Sequence, residues 1–188
     1  MTQSKPQISD AQLIQKCKSG DHKSFGLLVE RYQATAFRFA FRLSCESTDA
    51  EDLCQSAFIR IWNYRGRIKP DSRFSTLLYT ILSRLWIDQL RSRKRRLFTR
   101  TINMLDDLIV DGEPSPEMLT LNEDLARRIK KLGEKLPPRQ RLVFTLRDLE
   151  DLNINEVVQI TGLSKASVKT NLSIARQKIR KQLQTISG

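Results

Sequence analysis

The C-terminal part of the chain carries polar side chains at the spacing needed to read nucleic acid. A short helix with an apolar pattern ends at Gly162, which can take the positive φ that ends a helix. Ser164 is a suitable N-cap for a second helix, and one face of that helix is polar and basic. Two helices joined by a tight glycine turn predict a helix-turn-helix that enters the DNA major groove. The predicted DNA contacts are Lys165, Ser167, Lys169, Thr170, Ser173 and Arg176.

A second basic group ends the apolar helix pattern that begins at Phe74. Five of the six positions from Arg91 to Arg96 are basic. A solvated charged tail is the simpler interpretation, but basic residues near a helix end often contact phosphates without reading sequence. We therefore predict that these residues contact the phosphate backbone of a nucleic acid.

A third group is acidic and lies at the start of a helix. Thr48 and Glu51 have the spacing of a capping box, and acids at a helix start are favoured by the helix dipole. Capping explains part of this pattern. Asp52 and Gln55 share one face, where they are expected to meet a basic helical partner.

Charge along the chain favours a polyanionic partner. The net charge is +12 over 188 residues, with a pI near 10.0. Residues 1–100 hold 19 Lys and Arg against 9 acids, residues 101–126 hold seven acids and no Lys or Arg, and residues 127–188 hold 14 against 5. Two basic blocks around an acidic connector are typical of two modules that act on one polyanion.

The cysteine and histidine content argues against a metal site. Cys17, Cys45 and Cys54 lack C-x-x-C spacing, and His22 is the single histidine. Free thiols in a reducing cytosol are the better interpretation, and neither a metal nor a cofactor is expected. The N-terminus lacks a signal-peptide pattern, and no apolar run reaches the roughly 20 residues of a membrane span. We expect a cytoplasmic protein without membrane insertion.

The apolar periodicity predicts an all-α fold with two helical domains. Four helices build the first domain, residues 1–96, and Ser9 with Gln12 caps the first of them. Residues 97–121, with weak periodicity and two prolines, are predicted as a flexible acidic linker. The second domain, residues 122–188, contains a helix that starts at Pro137–Pro138 and the helix-turn-helix, whose first helix is capped by Asn153 with Glu156.

Three segments, in order and correctly spaced, resemble the extracytoplasmic-function (ECF) group of bacterial sigma factors in the sigma-70 family. The first segment, Asp49–Trp62, is similar to the conserved region that grips RNA polymerase. The second, Phe74–Tyr79 through Ile87–Arg93, is similar to the part that melts the promoter and reads its −10 element. The third, Leu136–Arg141 with Asn155–Arg176, is similar to the domain that reads the −35 element. Asn171 and Ile174 depart from the basic residues usual in that family.

The resemblance implies a transcription initiation factor that directs core RNA polymerase to promoters and performs no covalent chemistry. Its implied partners are core RNA polymerase, promoter DNA and an anti-sigma factor. The implied polymerase contacts are Asp49, Glu51, Asp52, Gln55 and Arg60. The implied contacts for −10 recognition and melting are Arg67, Lys69, Arg73, Arg84, Asp88, Arg91, Arg93, Lys94 and Arg95.

Two alternatives come from other functional classes. A stand-alone helix-turn-helix regulator would bind its operator tightly without polymerase. A DNA-processing enzyme would need a nucleophile or a metal-binding carboxylate cluster, and the acids of this chain lie in helix caps and in the predicted linker.

Overall fold

A computed structural model describes residues 8–69, 73–102, 133 and 135–187, and the regular elements in these ranges are helical. The all-α prediction is confirmed for this part of the chain. The first four helices are α1 (Asp10–Lys18), α2 (His22–Ser44), α3 (Ser47–Tyr64) and α4 (Phe74–Ile102), with a 3-10 turn at Arg65–Arg67. The remaining elements are α5 (Pro138–Phe144), a π-helical turn at Thr145–Leu149, α6 (Ile154–Thr161) and α7 (Lys165–Ser187).

Most of the predicted helix boundaries are confirmed. Ser9 forms a complete capping box with Gln12, and Asn153 forms another with Glu156. Gly162 ends α6 at a φ of +70°, in the left-handed region that favours glycine. The Ser164 hydroxyl then accepts a bond of 3.2 Å from the Ser167 backbone N–H at the start of α7. Because each cap satisfies backbone groups that a helix end leaves unpaired, these short motifs were readable from sequence.

The predicted cap of α3 at Thr48 is wrong. The helix begins at Ser47, and Glu46 is its N-cap, with a side chain that accepts from the Ser47 N–H at 3.2 Å. Cys45 ends α2 in the left-handed conformation with φ of 62°. Since α3 starts two residues after this sharp turn, Thr48 already lies inside its first turn. The fourth helix also runs to Ile102, into the predicted linker at 97–121, whose remainder lies outside the described residues.

The core of the N-terminal module forms where α1 to α4 meet. Phe39, Phe74 and Trp86 are at most 1% exposed, and the Tyr32 ring lies 4.7 Å from the Phe74 ring. The apolar stripes that predicted these helices are therefore the surfaces that pack together, and Phe74 is a core residue.

The C-terminal module packs α7 across α5 and α6. Val143, Val157 and Val168 are fully buried, one from each helix. Their burial sets the angle between α6 and α7, so the opposite face of α7 points to solvent. Leu142, Val143, Leu146, Val157, Ile160, Val168 and Leu172 belong to the same hydrophobic cluster as the core of the N-terminal module. The two modules are therefore in direct contact.

Removing the cap of α6 should destabilise the helix-turn-helix. The Asn153 side chain accepts bonds from the backbone N–H groups of Asn155 and Glu156, at 2.9 and 3.1 Å. We expect Asn153→Ala to lower the free energy of unfolding by about 1 kcal/mol, measured by urea denaturation. Asn155→Ala, at the exposed neighbouring position, is the control and should change stability by about 0.5 kcal/mol or less. Equal losses in both variants would contradict the capping role.

Candidate nucleic-acid interface

The exposed face of α7 gathers most of the residues predicted to contact DNA. Lys165, Lys169, Thr170, Ser173 and Arg176 are exposed, while Ser167 is half-buried. A shallow cleft runs from the start of α6 along the middle of α7. This cleft brings three of the predicted residues together with a further arginine, and it is lined by Ile154, Lys169, Leu172, Ser173, Arg176, Gln177 and Arg180. Arg180 was not predicted, because the sequence pattern did not indicate how far the cleft extends.

Arg176 is held in place by a carboxylate from the π-helical turn. Its Nε and Nη2 donate to the two oxygens of Asp148 at 2.8 and 2.7 Å. This bidentate pairing raises the pKa of the Arg176 guanidinium and orients the group. The Nη1 donors and the second Nη2 proton point away from Asp148, so they remain available to a phosphate or a base.

Asn171 folds back onto its own helix. Its amide nitrogen donates to the Ser167 carbonyl at 2.8 Å. Asn171, which stands where ECF sigma factors usually have a basic residue, therefore makes its hydrogen bond within α7. Ile174 is 37% exposed on the same helix. The cations that line the cleft are therefore Lys169, Arg176 and Arg180, and neither Asn171 nor Ile174 adds a charge to the face.

The predicted −10 residues on α4 fall on different faces. Arg84, Asp88, Arg91 and Arg95 have a spacing of four, three and four, which places them along one exposed face. Asp88 and Arg91 form a long ion pair, with 3.4 Å between Oδ1 of Asp88 and Nη1 of Arg91. Lys94 is also exposed. The Arg93 guanidinium turns toward α3 instead, where it pairs with Asp49.

The residues before α4 include one that contacts the C-terminal module. Arg73 pairs with Glu156 of α6 at 2.9 Å, although its side chain stays 78% exposed. Arg67 lies in the 3-10 turn with its guanidinium over the Tyr64 ring at 5.6 Å, and Lys69 is exposed nearby. Residues 70–72, between Lys69 and Arg73, lie outside the described residues.

The predicted polymerase residues on α3 divide into buried and exposed groups. The Asp49 carboxylate is only 12% exposed and accepts a hydrogen bond from the Gln89 amide at 2.9 Å, in addition to Arg93. It therefore ties α3 to α4. Glu51 is half-buried, whereas Asp52, Gln55 and Arg60 are exposed.

Ile59 is an apolar residue on the exposed face of α3 that sequence reasoning missed. It is 62% exposed and follows Asp52 and Gln55 at a spacing of three and four, so all three share a face. The signal that could have identified it is an isoleucine outside the apolar stripe of an amphipathic helix.

The described part of the chain was also searched for metal-binding groups of side chains and for helices that could cross a membrane. No group of three or more His, Cys, Asp or Glu side chains is placed to hold a metal ion in these ranges. Among the same residues, no helix combines the length and apolar character required to cross a bilayer.

Both modules match known protein families. Residues 28–96 match Sigma-70 region 2, and residues 126–179 match Sigma-70 region 4. Together the two matches span more than half of the chain.

Two similar proteins match this chain over nearly its whole length. The ECF RNA polymerase sigma factor SigW of Bacillus subtilis is 29% identical over 180 residues, which cover 92% of this chain and 96% of SigW. The ECF RNA polymerase sigma-E factor of Escherichia coli K12 is 28% identical over 186 residues, which cover 96% of this chain and 97% of that factor.

Two solved structures share the fold. The sigma factor RpoE of Bartonella quintana, in complex with the anti-sigma factor NepR, superposes with a TM-score of 0.69 at 23% identity, covering 86% of this chain and 98% of RpoE. CnrH, in complex with the cytosolic domain of CnrY, gives a TM-score of 0.69 at 22% identity, covering 94% of this chain and 97% of CnrH.

These matches favour an initiation factor over the alternative of a stand-alone regulator. The order of the two matched regions agrees with the order of the modules, and the relatives match over almost their full length. The chain belongs to the sigma-70 family and is an ECF-type RNA polymerase sigma factor, a transcription initiation factor that directs the polymerase to promoters.

Proposed function

We propose a division of labour between the two modules. Residues 1–96 bind core RNA polymerase and recognise and melt the −10 element, residues 122–188 read the −35 element, and residues 97–121 connect them. The observation that carries this proposal is the exposed face of α7, where Lys169 and Arg176 flank Thr170 and Ser173 beside the cleft. A recognition helix places such side chains on base edges while flanking cations hold phosphates.

The polymerase surface is the exposed face of α3. Asp52, Gln55 and Ile59 combine a carboxylate, an amide and an apolar side chain in two helical turns. This combination suits a basic helical partner that also buries an apolar residue. Asp49 supports this surface indirectly, because its carboxylate is used by Gln89 and Arg93.

Promoter phosphates are bound along α4 by Arg84, Arg91 and Lys94, together with Arg93 and Arg95 of the same basic run. The chain acts by binding alone, and its site of action is the cytoplasm, where core polymerase and promoter DNA are found. An anti-sigma factor is a further partner, a proposal supported by the RpoE–NepR complex.

One experiment tests the function as a whole. The purified chain is mixed with core RNA polymerase, recovered by pull-down, and used for run-off transcription on a pool of genomic fragments. We expect a stable complex and transcripts that start at a small set of fragments. Tight binding of the free chain to its DNA target, with no effect on polymerase, would instead identify a stand-alone regulator.

The basic run of α4, residues 91–96, should act through phosphates. Arg93→Ala and Arg95→Ala each remove one cation, so holoenzyme binding should weaken similarly on different promoters. The slope of log affinity against log salt should become shallower by about 0.9 per lost phosphate contact, measured by fluorescence anisotropy. Because Arg93 also pairs with Asp49, Arg93→Ala should lower the unfolding free energy as well. A loss confined to one promoter base would favour direct readout instead.

A further inference from the structure

One apolar side chain of α7 faces solvent beside the predicted DNA contacts. Ile174 is 37% exposed. The apolar residues on either side of it in the chain, Leu172 and Ala175, are buried, as is Val168 one turn earlier. Packing within the C-terminal module therefore uses those three residues and leaves more than a third of the Ile174 surface open to a partner.

Ile174 lies at one edge of the exposed face of α7. With 3.6 residues per turn, Thr170 and Ile174 fall on one side of Ser173, and Lys169 and Arg176 fall on the other. Thr170 and Ile174 are four residues apart, so their side chains are neighbours. Because helical side chains point back toward the N-terminus, Ile174 covers the turn that carries Thr170. The face therefore has a cationic edge and an uncharged edge.

Two polar residues next to the uncharged edge bind each other. The amide nitrogen of Asn171 donates to the Ser167 carbonyl at 2.8 Å and to the Ser167 hydroxyl oxygen at 3.3 Å. The Asn171 amide is thereby turned onto its own helix. What the uncharged edge presents to a partner is the side chain of Thr170, with its methyl group, and the apolar side chain of Ile174.

The chemistry of the major groove limits what an isoleucine can contact there. Isoleucine has no hydrogen-bond donor or acceptor, so it can bind neither a phosphate nor the polar edge of a base. Guanine, adenine and cytosine present nitrogen and oxygen groups in the major groove, whereas thymine also presents a 5-methyl group. An isoleucine over a polar edge would exclude water without replacing its hydrogen bonds, which is unfavourable. Over a thymine methyl it buries two apolar groups, which is favourable.

We propose that Ile174, together with the methyl group of Thr170, reads the 5-methyl group of thymine in the −35 element. This inference rests on the proposed assignment of α7 to that element. Four residues of an α-helix rise about 6 Å, and successive bases of one strand are about 3.4 Å apart. The methyl contact is therefore confined to one thymine or to two adjacent base pairs, and the cationic edge holds the surrounding DNA.

The first test removes single methyl groups from the DNA. The full chain, bound to core RNA polymerase, first selects its preferred sequences from promoters randomised at the −35 element. Each thymine of a selected element is then replaced by deoxyuridine, which lacks only the 5-methyl group. Fluorescence anisotropy should show binding weakened about fourfold at one position or at two adjacent positions, the effect of losing one buried methyl group. Deoxyuridine at the other positions should leave binding unchanged.

Variants of the chain assign this effect to Ile174. Ile174→Ala should bind the thymine and deoxyuridine promoters equally, whereas Ile174→Val keeps a branched apolar side chain and should retain the methyl effect. Leu183→Ala is the matched control, because Leu183 is another exposed apolar residue of α7, at 49% exposure. It lies nine positions beyond Ile174, more than two helical turns away. Leu183→Ala should therefore respond to deoxyuridine as the wild type does.

The second test places the same methyl group on a different base. At the sensitive position, the thymine–adenine pair is replaced by a cytosine–guanine pair, with either cytosine or 5-methylcytosine. The wild-type chain should bind the methylated promoter about fourfold more tightly than the unmethylated one, and Ile174→Ala should bind both equally. Agreement between the two base contexts would show that the chain recognises the methyl group itself.

The outcomes separate this inference from the proposed function. A selected −35 element without thymine, or equal binding of thymine and deoxyuridine at every position, would overturn the inference and leave −35 reading intact. A methyl effect that persists in Ile174→Ala would also overturn it, and weaker pull-down of that variant with core polymerase would then place Ile174 at a protein interface. If the wild-type complex selects no −35 sequence at all, the proposed function fails and this inference fails with it.

Discussion

Asp52→Lys combined with Gln55→Ala should abolish co-purification with core RNA polymerase while leaving the helical content unchanged. Both side chains are exposed on α3, so the substitutions should change the free energy of unfolding by about 0.5 kcal/mol or less. Against a basic partner, the new lysine replaces attraction with repulsion. Like charges across an interface cost several kcal/mol, and each 1.4 kcal/mol lowers affinity about tenfold.

The matched control uses the same chemical changes on another helix. Glu30→Lys with Gln33→Ala alters two exposed residues three positions apart on α2, with the same change in net charge. This variant should bind polymerase as the wild type does. Circular dichroism checks folding, and pull-down with core polymerase measures the loss. If the folded α3 variant binds polymerase normally, the polymerase surface lies elsewhere on the chain.

The second large effect is expected at the −35 element. Lys169→Ala or Arg176→Ala should lower transcription from the native promoter and relax the preference at one −35 position. A good bidentate contact to a base is worth about 1–3 kcal/mol of discrimination. The −10 preference should stay unchanged, because the other module reads that element. Transcription of a randomised promoter library by wild type and variants measures both preferences.

The pairing of Arg176 with Asp148 sharpens this prediction. Asp148 holds one edge of the Arg176 guanidinium. Arg176→Lys should therefore relax the −35 preference as Arg176→Ala does, because lysine lacks the planar fork. Lys135→Ala removes an exposed cation of the same module away from α7 and is the control for net charge. A uniform loss at every −35 sequence would make Lys169 and Arg176 phosphate contacts, and a shifted −10 preference would contradict the division into two modules.

The helices and most of their boundaries were determined by the sequence alone. The signals are local: Ser9 with Gln12, Asn153 with Glu156, and Gly162 each satisfy a helix end within four residues. Apolar periodicity of three and four residues identified the buried faces, since those faces must pack against one another. The cap of α3 was mistaken because the sharp turn at Cys45 left no signal in residue type.

The side-chain partnerships were decided by the tertiary structure. The sequence predicted that Asp49 contacts polymerase. In the structure its carboxylate instead accepts hydrogen bonds from Gln89 and Arg93 of α4. Glu150 meets Tyr79 and Arg42, which lie 71 and 108 positions away. Periodicity indicates which face of a helix is apolar, but not which distant helix covers its polar edge. That pairing depends on how whole helices pack, so the contact between the modules, unlike the helix-turn-helix itself, was not visible in the sequence.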